Sequence, residues 1–236
     1  MFIWRSFEEA EEGLRGKAAA LSIGTFDGVH RGHQAVIAEL CRRARARSLV
    51  GMIMTFAGHP SSIVGGETPP LIIPLERRLE LLESLGIEAV LVVPFDESLA
   101  RRDPEEFVRD CLSRTLKTRL MVVGHDFRFG AGGRGDAGLL AALGRPFGIE
   151  VVAVPPVMVD GAMVSSTAIR WALAAGDVVA AGRYLGRPFA VRGEVVPGER
   201  RGRCLGFPTA NLRLDPGALW PRYGVYLVEI AVDAGR

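Results

Sequence analysis

The sequence predicts an α/β protein, a parallel sheet covered by helices on both faces and followed by a smaller antiparallel β unit. Over the first three-quarters of the 236 residues, short continuous apolar runs alternate with stretches of helical character. Those runs lack the every-second-residue alternation of a half-exposed strand, which is the pattern of strands buried on both faces. Beyond residue 186 the pattern changes to apolar–polar alternation broken by closely spaced turn residues, as in antiparallel strands.

Taken in order, the apolar runs at 18–23, 49–56, 89–93, 120–123 and 150–154 read as buried strands, and 32–47, 75–85, 104–116 and 136–143 read as the helices between them. Two further helices are expected over 167–173 and 177–184, divided by Gly176. Arg187-Pro188 ends the helical pattern. Strands are expected over 189–196 and 223–232, with Pro197-Gly198, Pro208, Pro216-Gly217 and Pro221 as turns between them. A domain boundary near Gly186 divides the chain into units 1–186 and 187–236. The second, at about 50 residues, is near the lower limit for folding alone.

Composition narrows the function classes. Hydrophobic residues make up 48% and charged residues 24%, which excludes a disordered chain. With 29 Lys+Arg against 27 Asp+Glu, no chain-wide attraction to nucleic acid or anionic membrane is indicated. Cys41, Cys111 and Cys204 have neither metal-ligand nor redox-motif spacing and read as reduced thiols. No apolar run reaches the roughly 20 residues of a membrane helix, and the acidic N-terminal stretch is unlike a signal peptide, so a cytoplasmic protein is expected. Arg42, Arg43, Arg45 and Arg47 read as a solvated helix face near a C-terminus, the alternative being a phosphate- or RNA-facing patch.

Ligands of doubly wound folds bind beyond the carboxyl ends of the strands, so the residues after each apolar run carry the chemistry. After the first lies Gly24-Thr-Phe-Asp-Gly-Val-His-Arg-Gly-His33. Glycines between a strand and a helix start expose backbone N–H groups to a phosphate chain, and Gly32 lets a ligand approach the backbone closely. His30 and His33, three residues apart, can share one side of the opening turn and stabilise charge developing on a phosphoryl group. The alternative is a pair of turn-capping histidines. Ser165-Ser-Thr-Ala-Ile-Arg170 opens a later helix. Capping alone could explain its hydroxyls, whereas a cation on a first helical turn calls for a nearby anion, and a phosphate is the expected one.

Together these motifs resemble the HxGH nucleotidylyltransferase superfamily. Adding Thr55-Phe-Ala-Gly-His-Pro60 and Val123-Gly-His-Asp-Phe-Arg-Phe-Gly130, the first unit resembles the adenylyltransferase module of bacterial bifunctional riboflavin kinase/FAD synthetases. Gly193-Glu-Val-Val-Pro-Gly198 and Gly202-Arg-Cys-Leu-Gly-Phe-Pro-Thr-Ala-Asn-Leu212 resemble the opening of the family's flavokinase β-barrel. The resemblance implies a Rossmann-like nucleotidylyltransferase sheet and attack of the FMN phosphate on the α-phosphorus of ATP, giving FAD and pyrophosphate. It implies His30, His33 and Arg170 as catalytic residues. Gly24, Thr25, Phe26, Asp27, Gly32, Ser165, Ser166 and Thr167 would bind ATP. Phe56, His59, Pro60, Asp126, Phe127 and Phe129 would bind the flavin, with aromatic rings suited to stack on isoalloxazine. Asp126 reads alternatively as a turn-stabilising carboxylate between core phenylalanines, and Phe56 as the end of a buried strand. Thr209 and Asn211 match residues that hold Mg²⁺-ATP in the kinase, whereas in the adenylyltransferase site Mg²⁺ is expected to ride on substrate phosphates and water.

Two departures from the family pattern stand out. Gly58 occupies a position that is usually proline, which frees the backbone there. The family's kinase uses a glutamate further along as base for the riboflavin hydroxyl, and the chain stops at Arg236 before that region. The expectation is therefore FAD synthesis without riboflavin phosphorylation, with 187–236 as part of the barrel. Other readings are an HxGH transferase acting on a different phosphate acceptor, or a flavin- or nucleotide-binding regulator without turnover.

Overall fold

A computed structural model describes residues 1–58, 68–198, 206–207, 209–214, 217 and 219–232. His59, Pro60 and Cys204 lie outside the described residues.

The fold is built on one six-stranded, all-parallel sheet in the order β1-β4-β3-β2-β5-β6. Five strands, β2 (Ala19–Ile23), β3 (Val50–Phe56), β4 (Ala89–Val93), β5 (Thr118–Gly124) and β6 (Glu150–Val154), coincide with the expected apolar runs. The edge strand β1 (Phe2–Trp4) and the helix α1 (Phe7–Leu14) were not anticipated. A three-residue strand is too short to show a period, and only pairing with β4 defines it.

Alternation on each strand separates two cores. Leu21, Met52, Met54, Leu91 and Met121 face α1 and the helical segment starting at Pro104, together with α4 (Ala137–Gly144). Ala20, Ile53, Val90, Leu120 and Val122 face α2 (Arg31–Ala46), α3 (Leu75–Ser84), α5 (Ser166–Ala175) and α6 (Val178–Leu185). The segment expected as one helix from Pro104 instead changes geometry, running as α-helix over Pro104–Glu106 and as π-helix over Phe107–Thr115. Helices α5 and α6 follow each other closely because Ser165 and Asp177 cap their starts and Gly176 and Gly186, at φ 84° and 73°, end them.

A short hairpin of β7 (Met158–Val159) and β8 (Ala162–Met163) precedes α5. After α6, β9 (Gly193–Val196) pairs antiparallel with β10 (Asn211–Leu214). The expected strand over 189–196 is thus shortened, and the one over 223–232 does not form. That segment has no ladder partner among the described residues, and Tyr223, Val225 and Leu227 are fully exposed. Alternation alone does not make a strand without a neighbour to bond.

Three of the four arginines of the basic run are ion-paired: Arg42 and Arg43 reach Glu39, and Arg43 and Arg47 reach Glu150. Cys41 and Cys111 are buried free thiols, and burial raises both their pKa values.

Candidate active site

The strand order fixes where a ligand fits. From β2 the chain steps outward to β3 and β4, then returns to place β5 on the other side of β2. The crevice beyond the carboxyl ends of β2 and β5 is the topological switch point. It holds a cavity of about 670 Å³, within the usual range for small-molecule sites.

One part of its wall is polar and built by two helix starts. Gly24, Thr25, Phe26, His30, Gly32 and His33 come from the β2–α2 junction, and Ser165, Ser166 and Thr167 from the start of α5. The junction turns tightly, with Phe26, Gly28 and Val29 at φ 48°, 81° and 40°. Gly28 adopts this left-handed backbone freely, while Phe26 and Val29 are held there against their preference. His30 then caps α2, its Nδ1 accepting the His33 backbone N–H at 3.3 Å. A neutral His30 accepting at Nδ1 carries its proton on Nε2, and so presents a donor. The His30 and His33 rings stack with centroids 3.6 Å apart. Burial pushes His30 down to about 4, with Arg187 lowering it further and Asp126 opposing. Burial, His30 and Arg78 push His33 well below the ordinary imidazole range. Both rings are therefore neutral at pH 7 and act as hydrogen-bonding groups. The N-termini of α2 and α5, opening on the same cavity, supply the positive end of two helix dipoles.

The remaining wall is largely aromatic. Phe56 ends β3 and packs edge-on against Phe95, while Phe127 and Phe129 stack at 5.7 Å after β5. All four line the cavity together with Asp126, which is exposed. Phe56 thus both ends a buried strand and borders the cavity.

Two expected site residues are placed differently. Asp27 and Arg170 do not line the cavity. The Asp27 carboxylate is buried, accepting the backbone N–H groups of Ile72 and Ile73 and the Arg170 guanidinium at 2.5 Å. Arg170 also donates to the Pro70 carbonyl, and Ser166 Oγ donates to the Asp27 carbonyl. The anion that the first-turn cation requires is therefore a protein carboxylate in this structure, not an open subsite. Ser165 caps α5 by accepting the Ala168 N–H. Thr209 and Asn211 are exposed in the second unit and are not part of the cavity.

Other contributors were not foreseen from sequence. Arg78 on α3 is almost wholly buried and donates from Nη1 to Thr55 Oγ1 and the Phe56 carbonyl. Thr55 Oγ1 in turn donates to the Thr25 carbonyl, linking α3 to the β2–α2 junction. Its position was legible in principle, because residue 78 falls on the same helical face as Leu75 and Leu82. Arg102 and Arg128 add cations to the cavity wall. Among the described residues no group of three or more His, Cys, Asp or Glu is placed to hold a metal. No described helix is long and apolar enough to cross a membrane.

The family model for FAD synthetase matches residues 14–168, and that for riboflavin kinase matches residues 185–236. The bifunctional riboflavin kinase/FMN adenylyltransferase of Escherichia coli K12 is 39% identical over 215 residues, covering 91% of this chain and 68% of the relative. That of Bacillus subtilis is 37% identical over 218 residues with the same coverages. That of Haemophilus influenzae is 34% identical over 237 residues, covering the whole chain and 76% of the relative. A crystal structure described as a macrolide-efflux protein from Streptococcus pneumoniae superposes with a TM-score of 0.85 at 30% identity, covering 96% of this chain and 73% of that one. A pantoate-beta-alanine ligase from Francisella tularensis shares the fold alone, with a TM-score of 0.53 at 16% identity over 79% of this chain and 78% of that one. The two family matches, in the same order as the two motif sets, and relatives similar over nine-tenths of the chain lead to one statement: the chain belongs to the bifunctional riboflavin kinase/FMN adenylyltransferase family.

Proposed function

We propose that the cavity at the β2–β5 switch point is where this chain makes FAD from FMN and ATP. An oxygen of the FMN phosphate attacks the α-phosphorus of ATP, the bond from that phosphorus to the bridging oxygen breaks, and pyrophosphate leaves. The observation that carries this reading is the meeting, in one cavity, of a stacked histidine pair and two helix N-termini with a set of phenylalanine rings. The first group suits a polyphosphate and the second an isoalloxazine ring.

His30, through its Nε2–H, and His33 donate to the phosphoryl oxygens as charge moves onto them. The backbone of Gly24, Thr25, Phe26 and Gly32 and the hydroxyl of Thr167 cradle the nucleotide phosphates, while Ser166 lines the cavity and spends its hydroxyl proton on the Asp27 carbonyl. Phe127, Phe129 and Phe56 hold the flavin, with Asp126 at its edge. Asp27 and Arg170 act mainly as a buried clasp that shapes the nucleotide loop. Mg²⁺ carried by the ATP phosphates would supply charge neutralisation on the leaving pyrophosphate; among the described residues that line the cavity, Asp126 is the one carboxylate that could approach it. Residues 1–186 form the adenylyltransferase unit, and 187–236 belong to the riboflavin kinase unit, where Thr209 and Asn211 are the Mg²⁺-ATP groups.

The test is chromatographic detection of FAD from FMN, ATP and Mg²⁺, with a His30→Ala control. The control is expected to retain on the order of 1% or less of the rate, the usual loss on removing one oxyanion donor. Absence of FAD above that control refutes the assignment.

A further inference from the structure

We infer that Arg187 is a positioning residue for adenylyl transfer. It belongs by sequence to the kinase unit, yet its guanidinium holds the loop that sets His30. The inference rests on the adenylyltransferase reading of the cavity and adds a residue outside the matched FAD synthetase region, which ends at 168.

The loop needs an external restraint. Phe26 and Val29 both occupy left-handed backbone, where side chains other than glycine are disfavoured. Such conformations persist only when surrounding contacts over-determine them. Inside the loop, one backbone hydrogen bond, Val29 N–H to the Phe26 carbonyl, closes the turn. The Asp27 clasp, Ser166 and Thr55 hold the loop's first half, at Thr25 and Asp27, and Arg187, Gln34 and Arg31 tie its second half and the start of α2 to the end of α6. Arg187 Nη2 donates to the Gly28 carbonyl at 2.6 Å, and its Nη1 donates to the Val29 carbonyl at 3.1 Å and the Leu185 carbonyl at 3.3 Å. Gln34 Nε2 donates to the Val29 and Leu185 carbonyls at 2.9 and 2.8 Å. Arg31 Nε donates to the Arg183 carbonyl. The end of α6 and the first residues of the kinase unit are thus tied to the turn whose next residue is His30.

The chemistry selects arginine. Consecutive carbonyls, Gly28 and Val29, accept from the two ends of one planar fork, a geometry that a lysine ammonium cannot span with the same precision. Arg187 does not line the cavity, so it acts through the loop and not on substrate. It remains a cation at neutral pH, although burial and Arg77 lower it to about 10. Charged and titratable groups acting on His30 are Arg187 and, in the opposite sense, Asp126 beyond β5, while His33 stacks on its ring and Arg78 on α3 bears on His33.

Arg187→Lys and Arg187→Met separate geometry from charge. Both lose the fork, so both are expected to lower kcat for FAD formation by about 10²-fold, the scale of a catalytic group displaced by roughly 1 Å, with KM for FMN unchanged because the aromatic wall is untouched. Only the methionine variant removes the cation, so the His30 ring, followed by NMR, is expected to titrate higher in Arg187→Met than in wild type and to stay near wild type in Arg187→Lys. Faster amide exchange at Val29 is expected in both. A kcat within twofold of wild type in both variants, or an unchanged Val29 exchange rate with an unchanged His30 titration, overturns the inference. Should Arg187→Met fail to fold, the kcat and exchange of Arg187→Lys decide it. The NMR and exchange measurements do not need turnover. Wild-type protein that makes no FAD therefore sinks the adenylyltransferase reading by itself and leaves Arg187 to be judged on His30 and Val29.

Discussion

Replacing Asp27 by Asn tests the clasp at the centre of the nucleotide loop. Asparagine keeps the shape and one acceptor for the Ile72 amide, but it turns an amide NH₂ toward a guanidinium that is itself only 14% exposed. Breaking one partner of such a buried pair costs about 3–5 kcal/mol, because the remaining charge is left without compensation. At the lower end of that range, a domain of this size loses about 6–12 °C in Tm, at roughly 2–4 °C per kcal/mol. Arg170→Met alone costs a similar amount, since it leaves the Asp27 charge buried with only amide N–H partners. The double variant removes both charges and is expected to lose about 3 kcal/mol in total, not 6, giving a coupling near 3 kcal/mol. The assay is urea unfolding of wild type, both single variants and the double variant, with equal m-values required for the comparison. Losses that add within about 0.5 kcal/mol mean that the two side chains do not act as a pair, and the structural role given to Arg170 fails.

Two further outcomes follow from the cavity walls. His30 has a folded-state pKa depressed to about 4 by burial, so the unfolded chain binds the extra proton between roughly pH 6.5 and 4 and stability falls as pH drops through that window, by up to about 3 kcal/mol for this group. His33 adds to the loss in the same direction. Denaturation at pH 7.5, 6, 5 and 4 should show this decline, and His30→Gln should flatten it; an equally steep decline in the variant refutes the cause. Phe127→Ala is expected to raise KM for FMN by about 5- to 10-fold, the worth of one aromatic stack, and to leave KM for ATP unchanged; a selective rise in KM for ATP would place the flavin elsewhere.

The parallel sheet was legible because continuous apolar runs at regular spacing have few other uses, and the observed β2 to β6 lie within two residues of the expected ranges. The two phosphate-side motifs were legible because glycines, histidines and hydroxyls at strand-to-helix junctions carry local backbone requirements that sequence displays directly. The neutral state of the histidines, the fork of Arg187 and the partners of Arg78 were not legible, since each depends on what lies around a side chain and not on its neighbours in the chain; only the place of Arg78 on the inner face of α3 could be read from spacing. The strand expected over 223–232 shows the same limit, because alternation records a tendency that only a pairing partner can realise.

Sequence by itself determined the fold class and the family, and it singled out the junctions after β2 and before α5 that the structure brings to one cavity. Tertiary structure alone decided how Asp27 and Arg170 are used. They are 143 positions apart; Arg170 in isolation looks like a group reaching for a phosphate, and the resemblance places Asp27 in the nucleotide loop. Folding brings a carboxylate and a guanidinium together where neither can stay unpaired, because burying an uncompensated charge costs more than any arrangement that satisfies both.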